Sequence, residues 1–223
     1  MELVAVDTRE AYARIREAIV TLELAPGSLL DEQRLAKDLH VGGMPVREAL
    51  KLLAHDGLVA VTPRHGLYVA AISLPDLEQI SEVRLVLEPL CAALAARRAT
   101  PDDLSVLDAL RREHAGIPGE DHRRLLDVDH NFHQAVVRAS GNAYLVRIME
   151  HLFGLSQRLW YLALPRLDML STAVAEHLEL LDAIENREAE AARRIMYDHV
   201  KDFYDRVRPL LEAAPLPQGE TTP

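Results

Sequence analysis

Four residues in the second half of the chain have side-chain types and spacings that suit a metal ion. Asp129 and His133 are four positions apart, so both project from one face if the segment is helical. His177 and His199 stand on either side of a turn near Asn186, about ten residues before it and about twelve after it. Because a helix rises about 1.5 Å per residue, a helical hairpin would bring the two imidazoles to similar heights.

One carboxylate and three imidazoles that meet inside a helical bundle form a site suited to Zn²⁺, Ni²⁺ or Mn²⁺. Such a site leaves at least one position open for water or an anionic ligand. The alternative is that each histidine is an ordinary packed or surface residue, since the chain contains 10 of them. Six of the other seven are interpreted as non-ligands: His40, His55, His114, His122, His130 and His151.

Residues 73–212, which must position these side chains, have a helical pattern throughout. Ser73 can cap the first helix, and breaks are expected near residues 100, 117, 141, 165 and 186. About six helices with short connections predict an antiparallel all-α bundle. We expect this part to bind the metal and the effector and to mediate dimerisation. The tail, residues 213–223, is rich in Pro, Gly and Thr and is predicted to be disordered.

Residues 1–72 have the pattern of a winged helix-turn-helix. A short helix that Asp31 can cap is followed by a tight corner at Gly42-Gly43 and by a second helix that ends at Gly57. Residues 58–62 and 67–71 are predicted to form a two-stranded wing, and Leu29-Leu30 a short buried piece. A helix fits the major groove of DNA, where its N-terminal residues meet base edges. The chain as a whole is therefore predicted to be mainly α.

Charge argues for local rather than general contact with DNA. The formal net charge is −10, and residues 1–72 carry 8 Lys and Arg against 10 Asp and Glu, a net charge of −2. Because a broad basic face is missing, binding requires a local positive strip, such as Arg47, Lys51 and Arg64. A single cysteine, Cys91, the lack of a signal peptide and the lack of a long apolar span predict a cytoplasmic protein.

Several motifs of the N-terminal segment occur together. They are Leu29-Leu30-Asp31-Glu32, Leu35-Ala36, Pro45-Val46-Arg47-Glu48-Ala49-Leu50, Leu53, Asp56-Gly57-Leu58-Val59 and Arg64-His65-Gly66. This set, from about Tyr12 to Ile72, resembles the winged-helix domain of the GntR family of bacterial transcription regulators. The resemblance implies that Arg47 contacts DNA and that the wing tip enters the minor groove. The residues expected to bind DNA are Gln33, Arg34, Met44, Arg47, Lys51, Arg64, His65 and Gly66.

The chain departs from the family just before the second helix. It has Gly42-Gly43-Met44 where Ser-Arg-Thr is usual, and Gln33 where an Arg is frequent, with Arg34 beside it as a possible substitute. The loss of two cations weakens the phosphate contribution to DNA affinity and reduces its salt dependence. The alternative for Arg47 is a surface ion pair with Glu48 or Asp56.

The bundle has its own set of motifs. They are Val83-Arg84-Leu85-Val86-Leu87-Glu88, Asp129-His130-Asn131-Phe132-His133, Ser140-Gly141-Asn142, Glu176-His177 and Asp198-His199. From about Leu74 to Arg208 they resemble the ligand-binding domain of the FCD (FadR-like) subgroup of the GntR family. The resemblance implies that a divalent metal, Zn, Ni or Mn, is held by Asp129, His133, His177 and His199. It also implies that a small organic acid binds beside the metal.

Two residues are candidates for binding that acid. Arg84 is the best candidate for a positively charged ligand of the acid, because a guanidinium can donate two parallel hydrogen bonds to a carboxylate. The alternative is an internal pair with Glu88, four residues on in the same helix. Asn142 can donate to a ligand, but a residue after Gly at a helix end is equally a cap.

These features predict a transcription regulator, a homodimer on double-stranded operator DNA with no membrane association. One alternative is a metal-dependent enzyme with a weakened DNA-binding domain. The chain lacks the His-Glu-x-x-His motif of metalloproteases and the Glu-x-x-His motif of di-iron bundles, so we expect no enzyme. The other alternative is a metal-sensing bundle that takes no small-molecule effector.

Overall fold

Most of the secondary-structure elements are helices, and they form from segments in which Leu and Ala recur at helical spacing. Both residues have high helix propensities. The computed structural model describes residues 2–118, 121–163 and 170–212. The chain divides into two units. Unit 1 contains residues 2–73 and Gln157–Leu162, and unit 2 contains Leu74–Ser156 and the described residues from 163 to 212. The tail that was predicted to be disordered, residues 213–223, lies outside the described residues.

Residues 2–73 of unit 1 form three helices and three short strands. In chain order these are α1 (Glu2–Val20), β1 (Leu29–Leu30), α2 (Glu32–Leu39), α3 (Gly43–His55), β2 (Val59–Thr62) and β3 (Gly66–Val69). The predicted cap of α2 is confirmed, because the Asp31 side chain accepts hydrogen bonds from the backbone N–H groups of Gln33 and Arg34. The apolar side of α3, including Val46, Leu50 and Leu53, is fully buried.

The wing belongs to a slightly larger sheet than the sequence predicts. The strands pair antiparallel in the order β1-β3-β2, with Leu30 opposite Leu67 and Val59 opposite Val69. The predicted two-stranded wing is therefore extended by β1. Leu30 is buried as expected, but Leu29 is 61% exposed, because successive side chains of a strand point to opposite faces.

Unit 2 contains six helices among the residues that are described. They are α4 (Leu74–Arg98), α5 (Pro101–Ala115), α6 (His122–Ala139), α7 (Ala143–Ala163), α8 (Leu170–Glu185) and α9 (Ala189–Glu212). Their ends agree with the predicted breaks near residues 100, 117, 141 and 186; the break at Pro165 falls outside the described residues. The all-α architecture predicted for this part of the chain is thus confirmed.

The core of unit 2 is made of small residues on one helix and large residues on its neighbours. Ala92, Ala95 and Ala96 of α4 are buried together with Phe132 of α6 and Leu180 of α8. Small side chains on α4 allow the larger ones to fill the space between helices, which holds α6, α8 and α9 in a fixed register. None of the described helices is long and apolar enough to cross a membrane.

Candidate functional site

Three helices of unit 2 bring the four predicted metal ligands together. Asp129 and His133 lie one turn apart on α6, His177 lies on α8, and His199 lies on α9. One side-chain ligand atom from each residue lies within 4.8 Å of the others, and all four residues are buried. We call these four residues the metal cluster. The distance in sequence between its members shows that the fold, and not local spacing alone, assembles it.

The shortest distances in the cluster involve the Nε2 atoms of the histidines. Nε2 of His133 is 2.9 Å from Nε2 of His199. Nε2 of His177 is 3.3 Å from Oδ1 of Asp129, and Nε2 of His133 is 3.9 Å from Oδ2 of the same carboxylate. Two ligand atoms bound to one ion at about 2.1 Å lie about 3 Å apart when their bonds are at right angles. The spacing of the cluster therefore suits a single ion.

Carboxylates outside the cluster hold two of its histidines. Nδ1 of His133 is 2.5 Å from Oε2 of Glu88, and Nδ1 of His199 is 2.5 Å from Oε2 of Glu176. An ionised carboxylate only accepts hydrogen bonds, so both Nδ1 atoms must carry the proton. This arrangement leaves the lone pair of each ring on Nε2. Metal-binding histidines usually donate their other N–H in this way.

The donor set therefore fits a divalent cation. The Nε2 lone pairs of His133 and His199 face each other at 2.9 Å, and the Asp129 carboxylate lies beside them. Such a group of lone pairs repels itself unless positive charge lies between them, and either a proton or a metal ion supplies that charge. A further sign is Nε2 of His177, which is buried, makes no well-aligned hydrogen bond within the described residues and faces Oδ1 of Asp129 at 3.3 Å. Nitrogen and carboxylate ligands of this kind suit Zn²⁺, Ni²⁺ or Mn²⁺.

The ring of His177 is fixed on two sides. It stacks on Phe132, with ring centroids 4.1 Å apart and planes tilted by 16°. Its Nδ1 is 3.2 Å from Nδ1 of His114, which lies on α5 and is also buried. His114 was interpreted as a non-ligand, and it lies outside the metal cluster. It nevertheless contacts one of the ligands directly.

The protonation of the cluster follows from burial and from its neighbours. Burial lowers the pKa of His177 to about 3 despite the opposing effect of Asp129, so its ring is neutral and keeps a free lone pair. Burial alone would raise the pKa of Asp129, but the three imidazoles hold it well below its usual value. Burial opposes charge on His199 as well, yet Glu176 and Asp129 raise its pKa. The cluster thus has an ionised carboxylate and attracts a cation.

The two predicted effector ligands have structural partners. Nε of Arg84 donates to Oε1 of Glu88 at 2.5 Å, and both side chains are buried, which is the internal pair considered from the sequence. Oδ1 of Asn142 accepts from the backbone N–H groups of Tyr144 and Leu145, so Asn142 caps α7. A role for either residue in binding an acid remains a prediction.

A second candidate site is the exposed side of α3 in unit 1. Met44, Arg47, Glu48 and Lys51 are spaced at three- and four-residue intervals and are all exposed. Met44 is 68% exposed although it is apolar. Gly43 beside it is open, since no atom would lie within 4 Å of an added Cβ. This face has the position expected of the base-reading side of a recognition helix.

Three cations of the helix-turn-helix have acidic partners. Nε of Arg47 donates to Oε2 of Glu32 on α2 at 2.9 Å, and the partner is neither Glu48 nor Asp56, the two suggested by the sequence. Nζ of Lys51 donates to Oε1 of Glu48 at 2.7 Å. Arg34 lies 3.6 Å from Asp38. These exposed pairs are weak, so a phosphate or a base can replace the carboxylate at little cost.

The remaining predicted DNA contacts form the tip of the wing. Arg64, His65 and Gly66 make the turn between β2 and β3, and all three are exposed. Arg64 and Gly66 have positive φ angles of 67° and 111°. The turn is closed by a hydrogen bond from the backbone N–H of His65 to the carbonyl oxygen of Thr62 at 3.0 Å. Gln33 is exposed on α2, at the other side of the corner.

Sequence reasoning missed three residues that support the metal cluster: Glu88, Glu176 and His114. Glu88 was considered only as a partner of Arg84, although its other oxygen contacts His133. Glu176 precedes His177 in sequence but contacts His199 on α9. Adjacent positions on a helix face different directions, which is the only signal that could have separated the two roles. No local spacing marks His114.

Comparison with known proteins gives the family. Residues 7–69 match the family described as bacterial regulatory proteins, gntR family, and residues 79–202 match the FCD domain. A relative from Streptomyces ambofaciens, named an uncharacterized HTH-type transcriptional regulator in an unstable DNA locus, is 30% identical. The alignment covers 93% of this chain and 87% of that protein. The HTH-type transcriptional repressor RspR of Escherichia coli (strain K12) is 27% identical, with 90% and 88% covered.

Solved structures agree in fold. The chain is similar to E. coli McbR/YncC with a TM-score of 0.80 and 21% identity, covering 92% of this chain and 98% of the other. A putative GntR regulator from Rhodococcus sp. RHA1 gives a TM-score of 0.76 at 21% identity, with 93% and 98% covered. The two matched sequence domains and the similarity in fold thus indicate the same family. The chain therefore belongs to the GntR family and is a DNA-binding transcription regulator with an FCD domain, not an enzyme.

Proposed function

We propose that this regulator binds its operator under the control of a small organic acid and of a divalent metal held by the metal cluster. The metal would be Zn²⁺, Ni²⁺ or Mn²⁺, bound by Asp129, His133, His177 and His199. Once bound, the ion would supply a Lewis-acid position for one carboxylate oxygen of the acid. Residues 73–212 would form the sensing and dimerisation domain, and residues 1–72 the DNA-binding domain.

One observation carries this proposal: four buried ligand atoms from three helices lie within 4.8 Å of one another. Two of the imidazoles are held by carboxylates that place their lone pairs toward the centre of the cluster. A purely structural group would be expected to satisfy its buried polar atoms, yet Nε2 of His177 makes no well-aligned hydrogen bond among the described residues and lies 3.3 Å from Oδ1 of Asp129, another predicted ligand. The chemistry of the donors therefore supports a bound cation.

Arg84 and Asn142 are the proposed effector ligands. Arg84 is paired with Glu88, and Glu88 holds His133, so a carboxylate that competes for Arg84 would act on a metal ligand through one intermediate residue. Asn142 would contribute through its amide group while its Oδ1 caps α7. An acid that prefers one of two states of the protein shifts the equilibrium between them and so changes operator affinity.

On the DNA side, we propose that a homodimer presents two recognition helices to a pseudo-palindromic operator. The contacts would come from Gln33, Arg34, Met44, Arg47, Lys51, Arg64, His65 and Gly66. The exposure of this set supports the proposal, because weak ion pairs such as Arg47 with Glu32 exchange easily for DNA. The net charge of residues 1–72 implies that binding depends on specific contacts more than on general attraction.

The test is a mobility-shift titration on the DNA upstream of the regulator's own gene, at low salt. The protein is loaded with Zn²⁺ or stripped with EDTA, and acetate, malate and citrate are added in turn. We expect a specific complex whose affinity changes with one of these acids only in the metal-loaded protein. His133→Ala should abolish the response, and His151→Ala, at an exposed histidine of α7, should keep it. A complex that is indifferent to metal and acids would refute the proposal.

A further inference from the structure

Each histidine of the metal cluster makes a contact through Nδ1, but the three partners differ. His133 and His199 face the carboxylates of Glu88 and Glu176. His177 faces the imidazole of His114, with 3.2 Å between the two Nδ1 atoms. The third partner is therefore a group that can either donate or accept, whereas a carboxylate can only accept. The contact at Nδ1 therefore does not by itself fix the tautomer of His177.

The position of His114 makes its contact with His177 a built feature. His114 lies on α5 and is 1% exposed, and its Nε2 is buried without a hydrogen-bond partner among the described residues. The ring of His177 is stacked on Phe132, which restrains it from turning its other edge to the cluster. Nε2 of His177 therefore stays on the side of Asp129, 3.3 Å from Oδ1. Nδ1 stays on the side of His114.

Two proton arrangements are possible for this pair of neutral rings. In the first, Nδ1 of His114 donates to Nδ1 of His177, and the proton of His177 sits on Nε2, which blocks that atom as a metal ligand. In the second, Nδ1 of His177 donates to Nδ1 of His114, and Nε2 of His177 carries a lone pair. Only the second arrangement is compatible with metal binding, because a ligating imidazole nitrogen cannot also carry a proton.

We propose that His114 is a positioning residue of the metal cluster, which accepts a hydrogen bond from Nδ1 of His177 and so leaves Nε2 of His177 free to bind the ion. The inference rests on the metal site of the proposed function. It gives all three imidazole ligands the same support, with His114 in the place that Glu88 and Glu176 take for the other two. Loss of such a supporting group usually lowers metal affinity about 10- to 100-fold.

His114→Asn and His114→Leu form a matched pair, because the two side chains have nearly the same shape. The Oδ1 atom of Asn can take the place of Nδ1 as an acceptor, whereas Leu cannot accept. Zinc affinity of the full-length protein is measured by competition with a chromophoric chelator. We expect Asn to retain affinity within a few-fold of wild type and Leu to lose about tenfold or more. Equal affinity of the two variants would overturn the inference.

A second measurement needs no variant. In ¹⁵N-labelled, Zn²⁺-loaded wild-type protein, long-range ¹H–¹⁵N spectra report which nitrogen of each histidine carries the proton. We expect a proton on Nδ1 of His177 and a lone-pair-type shift for Nδ1 of His114. A proton on Nδ1 of His114 would overturn the inference while leaving the metal site intact. Failure of wild-type protein to bind Zn²⁺ would instead remove the metal site itself, together with the inference.

Discussion

A short line of contacts links Arg84 to the metal cluster through Glu88 and His133. Burial would raise the pKa of Glu88, but Arg84 and His133 lower it to about 2, so the carboxylate stays ionised at neutral pH. A buried charge of this kind is tolerated only because each of its oxygens has a partner. The three residues therefore depend on one another, and a change in Arg84 or Glu88 should also affect His133.

The replacement Glu88→Gln tests this dependence. It removes the carboxylate that pairs with the buried Arg84 guanidinium, so we expect the free energy of unfolding to fall by about 3 kcal/mol. Metal affinity should fall about 10- to 100-fold because His133 loses its charged partner. Glu176→Gln is the matched control, since Glu176 supports His199 but is half-buried. It should weaken metal binding with a smaller loss of stability; equal losses of stability in denaturant titrations would contradict this account.

At this scale the sequence predicted the ligands better than their supports. Asp129 and His133 are marked by a four-residue spacing, and the turn near Asn186 implies that His177 and His199 meet. Glu88, Glu176 and His114 reach their partners across helix boundaries, so their roles depend on how the helices are rotated. Rotation is set by packing, such as that of Phe132 against His177, and packing is not encoded in local spacing.

The recognition helix α3 presents two cations of different expected roles. Arg47 lies near its N-terminus and is held by Glu32 of α2, whereas Lys51 lies one turn further along. We expect Arg47→Ala to lower affinity for the specific operator by about 1–3 kcal/mol and to relax selectivity. Lys51→Ala should weaken binding to all sequences alike and reduce the salt slope by about 1. Fluorescence anisotropy on operator and scrambled duplexes over a salt series separates the two effects, and identical profiles would contradict them.

The open corner before α3 allows a substitution that should increase the affinity for DNA. Gly43 has no atom within 4 Å of an added Cβ, so the replacement Gly43→Arg can begin its side chain there without a clash. Arg also has a better helix propensity than Gly, so we expect no loss of stability. The new cation should raise affinity for DNA at low salt and steepen the salt slope by about 1. Gly43→Gln controls for the change in backbone freedom, and an Arg variant that binds no better than the Gln variant would refute this prediction.

Element boundaries were largely predictable because Pro, Gly and capping residues mark them. Asp31 caps α2, and Thr100 with Asp103 forms a capping box at α5. The addition of β1 to the wing was not predicted. A strand of two residues is too short to show an alternating pattern of apolar and polar side chains. That Leu29 faces outward becomes clear only from its pairing with Tyr68.

Over the whole molecule, the GntR match assigns residues 7–69 to DNA binding and the FCD match assigns residues 79–202 to effector binding. A metal held by three helices would stabilise unit 2 by mass action, since an unfolded chain lacks the assembled site. Any effector that competes for groups around that metal would act on α4, α5, α6, α8 and α9 together, because the cluster and its supports are spread over these helices. Under the proposed function, regulation by an acid would thus depend on whether the ion is bound at this place.

The most direct measurement is anomalous X-ray diffraction at the zinc absorption edge from crystals of the full chain grown with Zn²⁺. We predict one strong peak per chain, about 2 Å from Nε2 of His133, His177 and His199 and from a carboxylate oxygen of Asp129. The peak should vanish in crystals soaked with EDTA. If crystals grown at a saturating concentration of Zn²⁺ show no peak there, or show peaks only at surface residues, the claim that these four residues bind a metal is contradicted.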